Sequence, residues 1–96
     1  MANFSADRAE ELRREELLLI KSDADLTEGD RRLRDQQDRL TWLQDAGHDT
    51  RQAERLVLAL RESLTEWQRH HVLIEQRIAY LRRVVFPVRP SATDAR

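Results

Sequence analysis

The chain has 96 residues, of which 36% are charged, 5% are aromatic and none is cysteine, with a net charge of −1. That length allows one domain at most. The missing cysteines exclude a disulfide framework and a thiolate metal site, and the interleaved acids and bases lack the basic excess typical of a nucleic-acid binder. Two glycines, two prolines and 40% hydrophobic residues describe a helix-rich chain, too apolar for plain disorder.

The first predicted element is a helix over about 6–46. Ser5 offers a side-chain acceptor for its first turn, and Asp7, Glu10 and Glu11 follow where the helix dipole favours negative charge. Leu12, Leu19, Leu26, Leu33 and Leu40 then form a strict seven-residue row, which marks a coiled-coil seam. The companion row, Glu15, Ser22, Gly29, Gln36 and Leu43, is small or polar. "LLLI" at 17–20 is the longest early apolar run, far short of the ~20 residues of a membrane span. The N-terminus lacks the basic start and long apolar centre of a secretory signal. A cytoplasmic location is therefore expected, with no membrane partner.

A turn is predicted at 47–49, inside "GHDT". Gly47 suits the left-handed position past a helix end. Asp49 reads as the N-cap of the second helix, Thr50 as its first residue, and Gln52 as the far member of a capping box. So short a connection forces antiparallel neighbours. "GHDT" thus reads as a corner rather than a catalytic or ligand site.

The second predicted helix runs over about 50–85 and ends before Pro87. Its rows are Ala53, Leu60, Trp67, Ile74, Leu81 and Val57, Leu64, His71, Ile78, Val85. With the corner near His48, facing residues have numbers that sum to roughly 96. That pairs Leu43 with Ala53, Leu40 with Val57, Leu33 with Leu64, and Gly29 with Trp67. A glycine inside a helix costs about 1 kcal/mol against alanine, and the Trp67 ring explains its presence. A break at "DLTEGD" would give three helices instead, but the leucine row passes Gly29 without a phase shift. The expected fold class is all-α: an antiparallel two-helix coiled-coil hairpin over 1–86, with a flexible tail over 87–96.

The mid-helix Gly29, the Gln36 seven residues on, "GHDT" followed by Ala53, and the "RHH" at 69–71 resemble small, uncharacterised bacterial two-helix coiled-coil hairpin proteins with a GHDT-type turn. The likeness spans roughly residues 26–75. Arg39 departs from it, where an aliphatic residue is usual. It implies the hairpin and carries over no activity and no catalytic residue.

Chemistry has few candidates. His70 and His71 are adjacent and point about 100° apart, so they do not share one metal easily. Glu66 with His70, and His71 with Glu75, share faces at a spacing of four. The Glu-x-x-His of di-iron bundles is missing, as are the lysine and glycine that commonly follow a phosphotransfer histidine. His71 falls in the seam near Ser22, Asp25 or Leu26, where a polar residue fixes register. An imidazole also titrates near pH 6.5 and could lend the seam a pH dependence. Arg77, Arg82, Arg83 and Arg89, with Arg8, Arg13 and Arg14, make the open end locally basic. Glu10, Glu11, Glu15 and Glu16 are interleaved with them, which favours a salt-bridged face.

The expected function is therefore non-enzymatic: a helical protein–protein interaction module, as scaffold, adaptor or small regulator, without cofactor, metal or catalytic residues, and with an unnamed protein partner. The rivals are nucleic-acid binding through the basic end and a histidine phosphotransfer-like bundle. Self-association is also expected. Leu17, Ile20 and Ala24 form a second stripe on the first helix; Leu73, Tyr80 and Val84 form one flank of the second helix, and Val72, Ala79 and Phe86 the other. The half near the corner holds fewer extras: Trp42, Leu56, Leu58 and Ala59. Each large side chain fully buried is worth roughly 1.5–3 kcal/mol. A homodimer joined through the open ends into a four-helix bundle, with Leu17, Ile20, Ala24, Leu73, Tyr80 and Val84 at its interface, would use them.

Overall fold

A computed structural model describes residues 4–87 of the chain. Two helices account for nearly all of it: α1, Phe4–Asp45, and α2, Arg51–Val85, packed against each other along their length. α1 is unbroken through "DLTEGD", so the three-helix alternative does not occur. Its start lies ahead of the expected one, and Ser5 sits inside the first turn rather than before it. The expected tail lies, from residue 88 on, outside the described residues, as does Arg89.

The molecule is a flat rod. Its extents are 70 × 33 × 15 Å and its radius of gyration is 21.6 Å; a compact chain of this length would have about 12 Å. One layer of two helices buries only the stripe of each that faces the other. That stripe is the leucine row of α1 against both rows of α2. Leu12, Ala53, Val57, Leu64, Ile74, Ile78 and Leu81 are buried, and Leu81 is fully so. The buried residues that cluster together, Leu12, Ile74, Ile78 and Leu81 with Leu19 and Val85 against them, lie toward the open end.

Gly29 is buried in the seam, and the reason is sharper than the sequence suggested. A Cβ there would come within 2.6 Å of Leu64 Cδ2 and 3.2 Å of Trp67 Cζ3. Leu64 needs the space first and Trp67 second. Trp67 itself lies at the seam's rim and remains 43% exposed.

The corner closes α1 with a Schellman motif. Gly47 has φ of 72°. The His48 N–H donates to the Leu43 carbonyl at 2.9 Å, and the Gly47 N–H to the Gln44 carbonyl at 3.1 Å. These are the two bonds that satisfy orphan carbonyls at a helix end. His48, the one residue of "GHDT" without a task in the sequence reading, has one here: its ring packs on Trp42 at 5.4 Å between centroids. The start of α2 differs from expectation by one residue. Thr50 occupies the cap position and its carbonyl accepts the Glu54 N–H at 2.9 Å. Asp49 stands one place earlier, yet its carboxylate accepts the Arg51 N–H at 3.0 Å. The Arg51 guanidinium also grips that carboxylate; Gln52 makes no reciprocal bond among the described residues, and Thr50 closes the cap with no side-chain bond of its own to the backbone.

Candidate functional site

Among the described residues, the side-chain bonds and ion pairs between the two helices run from the hairpin's middle to its open end. At the hairpin's middle, Ser22 Oγ lies 3.0 Å from His71 Nδ1. The other ring nitrogen, Nε2, sits 3.4 Å from Asp23 and 3.7 Å from Glu75. The neutral ring can accept from Ser22 and donate toward the carboxylates; the cation can donate to both. His71 is thus a bracketed polar residue in an otherwise apolar row, its side chain 18% exposed.

Nearer the open end, Arg77 donates to Glu11 and Arg82 donates to Glu16 at 3.0 Å. The Arg77 bond holds the Glu11 carboxyl below its ordinary range. These pairs lie on opposite rims of the seam, as expected when antiparallel heptads put like flanking positions together.

Each rim carries a shallow groove. One, of about 540 Å³, is lined by Ala9, Leu12, Arg13, Glu16, Arg82, Arg83, Val85 and Phe86. The other, of about 230 Å³, is lined by Leu18, Lys21, Ser22, Asp25, Trp67, His70 and Ile74. The first has a mostly apolar floor with guanidiniums at its edge. The second includes Leu18, an exposed leucine that the periodicity argument passed over.

The residues singled out for self-association do not make one surface. Leu17 and Ile20 are 66% and 65% exposed, and Leu73 58%. Ala24 and Tyr80 are also exposed, whereas Val84 is half-buried. Ile20 shares a seven-residue row with Arg13, on the side of the larger groove. Tyr80 packs under the Arg77 guanidinium at 5.4 Å, toward the other rim. Val72 and Ala79 share the row of Phe86 and return to the side of Ile20. The exposed apolar residues therefore divide between two faces, which a list of flanks could not separate without the register.

The serine, histidine and carboxylates at the middle resemble a proton-transfer set, but the helix N–H groups around them are committed to their own carbonyls and do not form an oxyanion hole. His70 is exposed and makes no bond to His71. Among the described residues no group of three His, Asp or Glu is placed to hold a metal ion, and no helix is long and apolar enough to cross a membrane.

Comparison with protein-family models, with curated proteins and with solved structures finds no match. The two-helix, all-α architecture stands on the structure alone, and the likeness to bacterial GHDT-type hairpins gains no further support.

Proposed function

We infer that the chain is a non-enzymatic helical interaction module, a scaffold, adaptor or small regulator, which associates with a second copy of itself into a four-helix arrangement. The observation that carries this is the apolar surface of the open half. Leu17, Leu18, Ile20, Val72, Leu73, Tyr80 and Phe86 are each at least 43% exposed. A surface so apolar, on a rod one helix thick, is the mark of an association site. An enzyme would need a concave pocket with converging polar groups, and a single layer of two helices has no concavity of that kind.

Sedimentation equilibrium at micromolar concentration tests the self-association. A mass of twice 11.4 kDa is expected; a monomer would overturn it. The double variant Ile20→Glu with Val72→Glu, one exposed apolar residue on each helix, should shift the mass toward monomer.

One observation favours a second reading. Arg13, Arg82 and Arg83 line a single groove, so nucleic acid could meet the open end. Such binding would be steep in salt. An electrophoretic shift at low salt would support it, and its absence would remove it.

A further inference from the structure

We propose that the second copy docks on the face that carries the larger groove, and that the two hairpins run antiparallel, with Arg13 of one opposite Asp23 of the other. This rests on the self-associating reading and adds the face and the direction to it.

The face is defined by rows. Arg13 and Ile20 share one row on α1, and Glu16, Asp23 and Asp30 share the row beside it. On α2 the matching rows are Val72, Ala79 and Phe86, and Glu75 and Arg82. Glu16 and Arg82 bridge the helices on this face, and Arg13, Phe86 and the bridge line its groove. Ile20 is 65% exposed, Phe86 68% and Val72 47%. Together they put apolar surface on both helices of this face, beside its larger groove; the opposite face carries Leu18, Leu73 and Tyr80 around a smaller groove edged by the charged Lys21 and Asp25.

The direction follows from the order of charge along that face. At the open end stand Arg13 and Arg83, neither of which forms an ion pair among the described residues. Along α1 the apolar Ile20 comes next, then Asp23, which shares the imidazole of His71 with Glu75, and beyond it Asp30, whose side chain has no partner among the described residues. Each protomer therefore carries unpaired positive charge at one end of the face and under-compensated negative charge at the other. A parallel two-fold pair would stack arginines on arginines. An antiparallel pair, with its axis at the level of Leu17–Ile20, stacks Arg13 on Asp23 in both directions at once, as an isologous contact must. The Glu16–Arg82 bridge enters the interface already paired.

The size is adequate. An overlap centred there covers residues 6–30 of α1 and the facing part of α2, about 37 Å long and about 20 Å wide. That is about 700 Å² from each protomer, or about 1,400 Å² in all, within the usual range for specific interfaces.

The test is charge reversal with rescue, read by sedimentation equilibrium in about 50 mM salt, where rim charges act most strongly. Arg13→Glu and Asp23→Arg should each raise the dimer dissociation constant about tenfold or more. The chain carrying both should return to within about threefold of the parent, because the pair is restored with its signs exchanged. Circular dichroism checks that each variant keeps its helicity. The chain has no cysteine, so Arg13→Cys and Asp23→Cys supply a second readout that does not depend on charge. Mixed under mild oxidation, the two should give the 13–23 disulfide in preference to either homodimeric one. A parent chain that is monomeric overturns both the self-association and this arrangement. A dimer in which reversal has no effect, or in which Arg13→Cys links readily to itself, overturns the arrangement and leaves the self-association standing.

Discussion

The two halves of the hairpin are held by different means. Toward the corner, α1 and α2 meet through Ala53, Val57 and Leu64 set against leucines and Gly29. Every ion pair there among the described residues is local: Arg31 and Arg32 with Glu28, Arg31 with Asp35, Arg51 with Asp49, Arg69 with Glu66. Toward the open end stand the buried cluster around Leu81 and, among the described residues, every polar link between the helices: Ser22 and Asp23 with His71, Glu11 with Arg77 and Glu16 with Arg82. Chain connectivity explains the division. Beside a tight turn, closing the loop between partners costs little, and a thin apolar seam suffices. Some 60 residues further along the chain the closure entropy is larger, and side chains must hold the helices together. The same half exposes most of the large apolar side chains that the hairpin cannot use.

The largest expected effect breaks the open half alone. Leu81→Ala removes a fully buried side chain from a cluster with Leu12, Ile74 and Ile78, and should cost about 3–5 kcal/mol in urea unfolding. Leu64→Ala, in the corner half, should cost about 2 kcal/mol, because the rim-lying Trp67 can settle into the space. Equal losses would mean that the two halves are equally well packed and would remove the contrast.

A smaller effect concerns the notch between the halves. Gly29→Ala gains about 1 kcal/mol of helix propensity. Its Cβ would meet Leu64 Cδ2 at 2.6 Å, and overpacking of that kind costs about 1–3 kcal/mol. The net change should be a loss of about 1 kcal/mol. Adding Leu64→Val should make the two changes less costly than their sum in a double-mutant cycle. A plain stabilisation by Gly29→Ala would show that Leu64 turns aside freely.

Much of this was legible in the sequence, for identifiable reasons. Seven-residue rows depend only on which residues are apolar, so the seam, the hairpin and the place of Gly29 and His71 in it could be read directly. The partners could not. Whether Gly29 makes room for Leu64 or Trp67 depends on a shift of less than one helical turn. The capping role divided between Asp49 and Thr50 because a carboxylate one residue early still reaches the Arg51 N–H. The His48–Trp42 contact had a signal that went unused: a residue just past a Schellman glycine often packs on the last turn of its helix. The sides on which Ile20 and Tyr80 lie needed the register.

His71→Leu comes next, and its sign is opposite. A bracketed polar seam residue sets register at some cost in stability, and replacing it with an apolar residue of similar size is often neutral or stabilising. Thermal unfolding should shift upward by a few degrees, which for a chain this short corresponds to less than about 1 kcal/mol. Adding Ser22→Ala, so that the serine is not left without its partner, should raise the gain. A large loss in either variant would mean that the Ser22–His71 link stabilises the open half rather than merely aligning it.

The smallest expected effect separates ion pairs that join the halves of the chain from those that stay within one turn. Glu11 is held below its ordinary range chiefly by the hydrogen bond from Arg77, and Glu28 is lowered from 4.5 to about 2 chiefly by the hydrogen bond from Arg31. Both carboxyls are depressed in the folded chain, so each contributes stability that is present above about pH 4.5 and is lost as the pH falls through its folded value. By shift alone Glu28 should dominate the acid limb. The unfolded chain reverses that ranking. Arg31 is three residues from Glu28, and the pair can re-form in any nascent turn of helix, which lowers the unfolded value too. Arg77 is 66 residues from Glu11, and unfolding separates them completely. The Glu28 side chain is also 45% exposed against 25% for Glu11, so salt and water weaken its pair more. Glu11→Gln should therefore flatten the fall of stability between pH 4.5 and pH 2 more than Glu28→Gln does, in urea titrations run at each pH. If Glu28→Gln flattens it as much or more, the local pairs contribute to the folded state as strongly as the cross-helix ones, and the division of labour between the two halves rests on packing alone.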